Sequence, residues 1–540
     1  MLIYFKGQKT FKEILNKLNT FAIKFIIKKM KKVIYVISGL LSICTAVNAG
    51  GLLTNTNQNI AFNRNFARDG AIGIDGVYAN PAGVAFLSKG WHLSFNAQNV
   101  YQSRTIKSGM TIPSMEKTPF YQPFKLNGGN ENGIKEYTGN AAVPILPSLQ
   151  AALNYDKWGI QMAFGLFGGG GKATFNDGLG SFERQVSVIP ALLASAGLSS
   201  KTPHYSMDSY LSGQQYIFGV QLGSTYKMNK HLSAYAGMRI NYVLNKYEGN
   251  ITNITANIGG ANVNLNNYFA EQANKLRMQA TMLSSKATNL PAGAEKTKLE
   301  ATAAKLNAGA SAMDSYKEKV QDKYLDCTQT GWGVTPIIGL NFNYKQWNVG
   351  TRMEFNTYLN IQNNTKRDDT GMFKHGVNTP NDIPALWTIG VQYAVLPNLR
   401  TMVSYHHFFD KSARMANNKQ EQLSGNTQEY LAGAEWDITK DVMISAGMQR
   451  TKYGLGDGSY LSDMSFVTSS YSFGFGGSVR IMKRARLNVA YFWTNYEQFD
   501  KSSSEPLPLL QSTNKKIVAN NTDNFTRTNK VLGVGLDIDF

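Results

Sequence analysis

The chain has 540 residues, a mean hydropathy of −0.27 and a net charge of +19. Residues 1–49 hold nine Lys and one Glu, and the remaining positive charge is spread out, without a Lys/Arg run typical of nucleic-acid binding. After the N-terminal region no apolar stretch is long enough for a transmembrane helix. A membrane β-barrel remains compatible with this composition, because only alternate residues of its strands face lipid.

The N-terminal segment has the pattern of a secretion signal. A basic stretch at 28–32 precedes an apolar run at 33–43, and Val47-Asn48-Ala49 resembles a small-x-Ala cleavage site. We expect residues 1–49 to be leader and signal peptide, with translation starting at Met30. Cys44 lies inside this segment, so the mature chain keeps one thiol, Cys327, and forms no intrachain disulfide.

Residues 50–88 lack the alternation of strands and predict a plug that either hangs below a barrel or folds into its lumen. Within this segment, Asn80-Pro81 favours a turn. Pro81 suits the first position of a short helix capped by Asn80.

From residue 89 onward, alternating runs predict strands. The final run, 528–540, places Leu532, Val534 and Leu536 on one face and small or polar residues on the other. An even number of runs, joined alternately by short and long connections, is typical of bacterial barrels. We therefore predict an all-β fold, a 14-stranded antiparallel transmembrane β-barrel over 89–540. The runs are 91–106, 147–156, 158–167, 215–226, 232–247, 332–344, 347–361, 385–394, 399–409, 428–437, 442–453, 465–481, 486–499 and 528–540.

Several stretches resemble one protein family. Residues 49–58, the Arg68-Asp69 pair and residues 77–83 are similar to the start of the outer-membrane hydrophobe transporters of the FadL/TodX family, especially its Bacteroidetes branch. Further similar stretches lie at 382–385, 409–416, 430–437 and 491–496, so the resemblance covers nearly all of 49–540 except 252–325.

The resemblance implies passive uptake of long-chain fatty acids or similar hydrophobes, without a cofactor. It makes 50–88 a luminal hatch, in which Arg68, Asp69, Asn80, Pro81 and Ala82 are the hatch residues. The implied location is the cell outer membrane, with both termini periplasmic. The implied partners are a hydrophobic ligand, outer-membrane lipid and the barrel assembly machinery, with no nucleic acid.

An apolar run follows the third strand, in a loop on the outer side. It suits either a helix that caps the barrel mouth or an apolar patch that collects substrate, and the resemblance favours the patch. The residues concerned are Val186, Val188, Ile189, Leu192 and Leu193.

Residues 252–325 form an insertion within the barrel. Strong helix formers at 266–288 and from 294 to 323, separated by a break at 289–293, predict an extracellular helical hairpin. Its role is either a lid or strut, or a site that binds a partner protein.

Strand parity places five polar side chains near mid-height in the lumen: Gln98, Arg239, Arg352, Glu354 and His406. They are explained either by hydration and a network around Arg352 and Glu354 that anchors the hatch, or by binding of a substrate carboxylate to Arg239 or Arg352.

Two features predict kinks in the barrel wall. Pro336 interrupts the sixth strand, and Gly168 and Gly169 begin a run of four glycines after the third. The resemblance implies that substrate leaves sideways through a gap near a kinked third strand.

The sequence contains no catalytic constellation: its six His show no metal-ligand spacing and no nucleophile elbow occurs. We expect a protein that is not an enzyme. The alternatives are a structural, adhesive or receptor barrel that uses the helical loop, a general porin, and a barrel-embedded enzyme.

Overall fold

The computed structural model describes residues 57–195, 202–507 and 517–540. The predicted signal peptide with Met30 and Cys44, and residues 50–56 of the predicted hatch, lie outside the described residues and stay predictions.

The described strands form one antiparallel sheet that closes on itself. The first strand, β1 (Gly90–Thr111), pairs with the last, β18 (Val518–Asp539), from His92 opposite Asp539 to Thr111 opposite Asn520. The strands between them are β2 (Ile134–Asn154), β3 (Trp158–Phe175), β4 (Tyr205–Lys227), β5 (Leu232–Ile258), β6 (Ala261–Asn264), β7 (Lys323–Tyr344), β8 (Trp347–Glu354), β9 (Asn360–Asp368), β10 (Asn378–Pro380), β11 (Leu386–Leu396), β12 (Leu399–Phe408), β13 (Gln428–Asp437), β14 (Val442–Lys452), β15 (Ser470–Met482), β16 (Ala485–Tyr496) and β17 (Phe499–Pro506).

Fourteen strands build the wall, which confirms the predicted fold. Three wall strands are interrupted: β8 continues as β9, β10 as β11, and β16 as β17. The short β6 pairs only with β5 and lies beyond the wall.

Short and long connections alternate around the barrel, as predicted. The chain turns within two to four residues after β2, β4, β7, β11, β13 and β15. We call this end of the barrel the turn end and the opposite one the loop end. The C-terminal Phe540 lies at the turn end, where its backbone N–H donates to the carbonyl of Trp91 (2.8 Å).

Several strands run further toward the loop end than the sequence predicted. β2 begins at Ile134, not near 147, and β18 begins at Val518, not near 528. In the added part of β18 the outward residues are polar, as at Asn520 and Thr522, so the apolar alternation stops while strand pairing continues. The wall therefore projects beyond its apolar band.

The outer surface of the barrel carries large exposed apolar side chains. On β7, Ile338 and Leu340 are about half exposed, and on β18 Leu532 is 51% exposed. Aromatic pairs stand next to the turn end, with ring centroids 4.5 Å apart for Trp158 and Tyr226. An apolar band bordered by aromatic rings is typical of a surface that contacts lipid.

Residues 57–88 fold inside the barrel near the turn end and form the hatch. The helix α1 (Ile60–Arg64) is completely buried, and the Asn59 side chain caps it by accepting from the N–H of Ala61. Two 3₁₀ helices follow, Ile74–Val77 and Gly83–Phe86.

The Asn80-Pro81 pair differs from its prediction in one respect. Pro81 does not begin a helix, because the 3₁₀ helix starts two residues later at Gly83. The Asn80 side chain nevertheless accepts from the N–H of Gly83 (3.1 Å) and closes the turn before this helix.

The loop between β3 and β4 folds over the loop end as two helices, α2 (Gly180–Ser187) and α3 (Ile189–Ser195). Four of the five predicted apolar loop residues are almost completely buried between this loop, the upper wall and the two ends of the insertion at 265–320, and the fifth, Leu192, is partly buried. This burial fits the interpretation as a cap and not that as an exposed collecting patch. The four are Val186, Val188, Ile189 and Leu193.

The insertion forms the predicted hairpin of two helices, α4 (Leu265–Thr288) and α5 (Ala294–Lys319). Buried alanines, Ala273 and Ala280 on α4 and Ala303 on α5, line the contact between them. Among the helices that the structure describes, none is both long and apolar enough to cross a membrane.

Candidate functional site

The hatch is tied to the wall by hydrogen bonds on several strands. Amide and hydroxyl groups that point into the lumen donate to buried hatch carbonyls, which need hydrogen-bond partners. These bonds run from Gln221 to Val77 (2.8 Å), Gln161 to Pro81 (2.9 Å), Ser233 to Ala82 (2.6 Å) and Asn154 to Val84 (2.6 Å).

Glycines on the lumen face let the hatch backbone come close. A Cβ atom at Gly350 on β8 would overlap the carbonyl oxygen of Asp69, and one at Gly474 on β15 would overlap that of Asn63. Any larger residue at these positions would push the hatch out of place.

One buried ionic cluster joins the hatch to β13. Glu435 accepts from Arg64 (3.0 Å) and Arg68 (2.7 Å) of the hatch, and Arg400 of β12 lies 3.5 Å away. Arg68 also forms an ion pair with Asp75 of the hatch (2.7 Å). Because a buried charge is costly without a partner, this cluster favours the docked hatch.

A second cluster joins the hatch to β12 and β13. The predicted lumen residue His406 lies between the predicted hatch residue Asp69 and Glu429, at 2.8 Å from each carboxylate. All three side chains are almost completely buried. The ring of His406 thus links Asp69 of the hatch to Glu429 of the wall.

Arg239, Arg352 and Glu354 form a third cluster. Arg239 forms an ion pair with Glu354, and Nε of Arg352 lies 3.5 Å from the same carboxylate. Arg352 also donates to the carbonyl of Tyr78 in the hatch, and its guanidinium stacks over the Tyr78 ring at 4.5 Å. The structure therefore places both predicted arginines in a network that anchors the hatch, with their charges already paired.

The predicted hatch motif also reaches the wall. Asn80 donates to the carbonyl of Ala71 within the hatch (3.1 Å) and to Asn341 of β7 (2.7 Å). Asn341 exchanges hydrogen bonds with Asn348 of β8, which donates to the carbonyl of Gly70 (2.7 Å). Asn80 thus orders the hatch and links it to two strands.

The wall has an unpaired stretch between β2 and β3. The two strands pair at 139–141 with 173–175 and at 149–154 with 159–164, whereas 142–148 and 165–172 have no partners across this boundary. Pro144 and Pro147 of β2, which lack an N–H, lie in the gap. On the other side, β3 shifts register against β4 at Gly168, and Gly169 has a left-handed φ of +93°. The register of β3 is thus irregular at these glycines, and two prolines that the sequence analysis passed over lie opposite them.

A hatch side chain fills part of this gap. The amide of Gln58 accepts from the N–H of Leu166 (2.9 Å) and donates to the Leu166 carbonyl, as a neighbouring strand would. The Gln58 carbonyl accepts from the predicted lumen residue Gln98 (3.0 Å) and from Ser148 (3.1 Å). Gly165 leaves room for this approach, since a Cβ there would lie 2.7 Å from the Gln58 amide oxygen.

Pro336 marks a second break in the wall. β7 stays paired with β5 through Pro336, opposite Met238, but on its other side it pairs with β8 only from Ile337 onward. Residues 355–359 separate β8 from β9 here, with Thr357 completely buried and Tyr358 exposed. The predicted bulge thus falls between β7 and the interrupted strand beside it.

The sequence analysis missed several functional side chains, above all Gln58, Arg64 and Glu435. Arg64 and Glu435 could have been identified from the sequence, because a charged residue on a buried helix and one on a lumen face each need a partner of opposite charge. Nothing in the sequence singled out Gln58, because its partner is a backbone segment that only the fold brings close to it.

No three His, Cys, Asp or Glu side chains of residues 57–195, 202–507 and 517–540 come together in a way that could hold a metal ion.

No protein-family model matches the sequence, and no curated protein is significantly similar to it in sequence.

Solved structures do share the fold. A FadL homologue from Pseudomonas aeruginosa is 11% identical, with a TM-score of 0.54 over 90% of this chain and 99% of its own. A mutant of the monoaromatic hydrocarbon channel TodX is also 11% identical, with a TM-score of 0.50 over 90% of this chain and 99% of its own. The chain thus has the fold of the FadL and TodX barrels, as its sequence resemblance predicted.

Proposed function

We propose that this chain is a passive channel that takes up hydrophobic small molecules, such as long-chain fatty acids, across the outer membrane. The observation that carries the proposal is the unpaired stretch of wall between β2 and β3, directly beside a lumen that the hatch blocks. A lumen that holds the hatch along its axis, and whose wall lacks strand pairing at one side, suits a molecule that leaves into lipid and not into water. The shared fold adds support, because the similar structures are described as a FadL homologue and a hydrocarbon channel.

The outer membrane is the compartment that suits this barrel. Its apolar outer face requires lipid, and closed barrels cross that membrane. We infer that the turn end, which holds the hatch and Phe540, faces the periplasm, because short turns lie on that side in such barrels. The barrel assembly machinery would then insert it.

We propose that the substrate passes from the loop end into the lumen and leaves through the gap at 142–148 and 165–172. In this route Gln58 holds the gap closed, since its side-chain amide forms hydrogen bonds with the backbone of Leu166. Movement of the hatch at Gln58 would open the wall without exposing an aqueous path, which explains how uptake and barrier function coexist.

The route is tested by blocking the gap. Val143 lies within the gap on β2 and faces Gly171 of β3, where a Cβ would lie 3.3 Å from the Val143 side chain. In cells that lack their own transporter, uptake of radiolabelled hexadecanoate should fall severalfold for Val143→Trp. The matched control is Ile444→Trp, which adds the same ring on the outward face of β14, where the native side chain is 41% exposed.

Two outcomes would contradict the proposal. Unchanged uptake by a folded Val143→Trp barrel would remove the lateral route. Absence of any uptake above background by the wild-type chain, for hexadecanoate and for toluene, would remove the transport function itself.

A further inference from the structure

Two arginines lie directly opposite each other in the lumen. Arg104 of β1 and Arg527 of β18 are cross-strand partners in register, and both point inward next to the buried pair Ile106 and Phe525. Like charges directly opposite each other on neighbouring strands destabilise a sheet. This pair therefore needs an explanation from outside the strand pairing.

The two guanidinium groups have no acidic partner among the described residues. Arg104 is only 8% exposed, makes no hydrogen bond or ion pair there, and its Nε is buried without an acceptor. Arg527 donates to the neutral amide of Gln102 (2.7 Å) and stacks over the Tyr496 ring at 5.0 Å, while its Nε also lacks an acceptor.

The other buried arginines of the described residues differ from this pair. Each of them lies within ion-pair distance of a carboxylate, Glu435 for two of them and Glu354 for the other two. The acid along β18, Asp523, is already bound by Arg184 (2.7 Å) and Ser108 (2.5 Å). No carboxylate of the described residues therefore balances the charges of Arg104 and Arg527.

Arg104 lines a cavity beside the kink of β3. The cavity is small and opens to solvent, and its wall is largely apolar, with Phe175, Leu211 and Met464. Gly171 lies on the same wall, next to the unpaired stretch of β2 and β3. The cavity therefore offers a cationic group at one side and an apolar surface that leads toward the gap.

We propose that Arg104 and Arg527 bind the carboxylate of an amphipathic substrate, whose apolar chain lies along the cavity wall toward the gap between β2 and β3. Guanidinium groups suit this role because their paired N–H donors match the two oxygens of a carboxylate. The inference rests on the proposed transport function and narrows its substrate to hydrophobes with an anionic head. An uncharged hydrocarbon would leave the arginine pair without a counter-charge.

The test measures binding to the full chain in lipid nanodiscs, with hexadecanoate and hexadecan-1-ol as probes. The wild-type chain should bind hexadecanoate more tightly than the alcohol. Arg104→Gln and Arg527→Gln should each weaken hexadecanoate binding roughly 10–100-fold, as expected for a hydrogen bond to a charged group, and leave the alcohol unaffected. Arg277→Gln, which changes an exposed arginine of the helical hairpin, is the matched control.

Further arms separate the outcomes. Arg104→Lys keeps the charge and should recover part of the affinity, which a misfolded barrel would not. Equal binding of both probes by the wild-type chain would overturn the carboxylate site but leave the transport proposal intact, whereas binding of neither probe would count against both. Occupation of the pair by phosphate, without any competition from hexadecanoate, would show a structural ion site and overturn the inference.

Discussion

The buried cluster around Glu435 makes a sharp prediction about the hatch. In the docked state this carboxylate neutralises Arg64 and Arg68, both almost completely buried. With Glu435→Ala, Arg68 keeps Asp75, but Arg64 loses its only acidic partner among the described residues. Removing one member of a buried ion pair costs about 3–5 kcal/mol. Once the hatch leaves, water solvates Arg64, so this cost falls on the docked state alone.

The expected result is a large rise in hatch opening. A free-energy change of about 3–5 kcal/mol corresponds to roughly a 100- to 5000-fold shift of the docked-to-open equilibrium. Single-channel recordings in planar bilayers should therefore show rare openings for the wild-type barrel and frequent ones for Glu435→Ala. Asp156→Ala is the control, because its ion pair with Lys89 is highly exposed and contributes little.

A double variant separates a lost charge from a damaged barrel. Arg64→Met with Glu435→Leu removes both charges and keeps apolar volume, so openings should become rarer again than in Glu435→Ala. The reasoning would be refuted if a folded Glu435→Ala barrel opened no more often than the wild type, or if Asp156→Ala opened equally often.

Three further predictions follow from other contacts. Gln58→Leu keeps the side-chain volume but removes the amide that pairs with Leu166. Hexadecanoate uptake should therefore rise without leakage of hydrophilic solutes. Unchanged uptake would show that Gln58 does not hold the gap closed. Burial, reinforced by Lys501, lowers the pKa of Lys419 to about 7 in the loop between β12 and β13, so the folded loop binds its proton less tightly than the unfolded loop. The stability of the loop, measured by hydrogen exchange, should then fall as pH drops from about 10 to about 7. Lys419→Met should remove this pH dependence and stabilise the loop by roughly 2–4 kcal/mol at neutral pH. A pH dependence that persists in the variant would contradict the assignment to Lys419. Replacing 273–310 with a short Gly-Ser linker should leave uptake unchanged, because the parts of α4 and α5 that it removes pack mainly on each other. A loss of uptake would instead make the hairpin part of the entry path.

The barrel was predictable because its signals are local. Alternation at 428–437 predicts β13 with the bounds observed, because Tyr430 and Trp436 point outward there while Glu429 and Glu435 point inward. The starts of β2 and β18 were not predicted, because beyond the apolar band the outward side chains are polar and the apolar ones, such as Tyr137 and Ala519, lie on the inward face. Pro144 and Pro147 hid β2 further, since proline argues against a paired strand.

The contents of the lumen were only half predictable. Parity placed Arg239 and Arg352 inside, but it could not tell a free arginine from a paired one. The choice was decided by Glu354 and by the Tyr78 carbonyl of the hatch, which only the closed fold brings to them. Arg104 became notable for the same reason, because its neighbour across the sheet is more than 400 positions away in the chain.

The spacing of the buried alanines determines which changes in the length of the hairpin preserve the packing of its two helices. Its buried alanines recur in steps of seven, at 273, 280 and 287 on one helix and at 303 and 310 on the other. A step of seven residues repeats the same contact about 10 Å further along the axis. Insertions or deletions of one such heptad in both helices would therefore preserve the packing and leave the barrel below untouched. The hairpin is thus adjustable in length, and its reach beyond the loop end can change independently of the barrel that bears it.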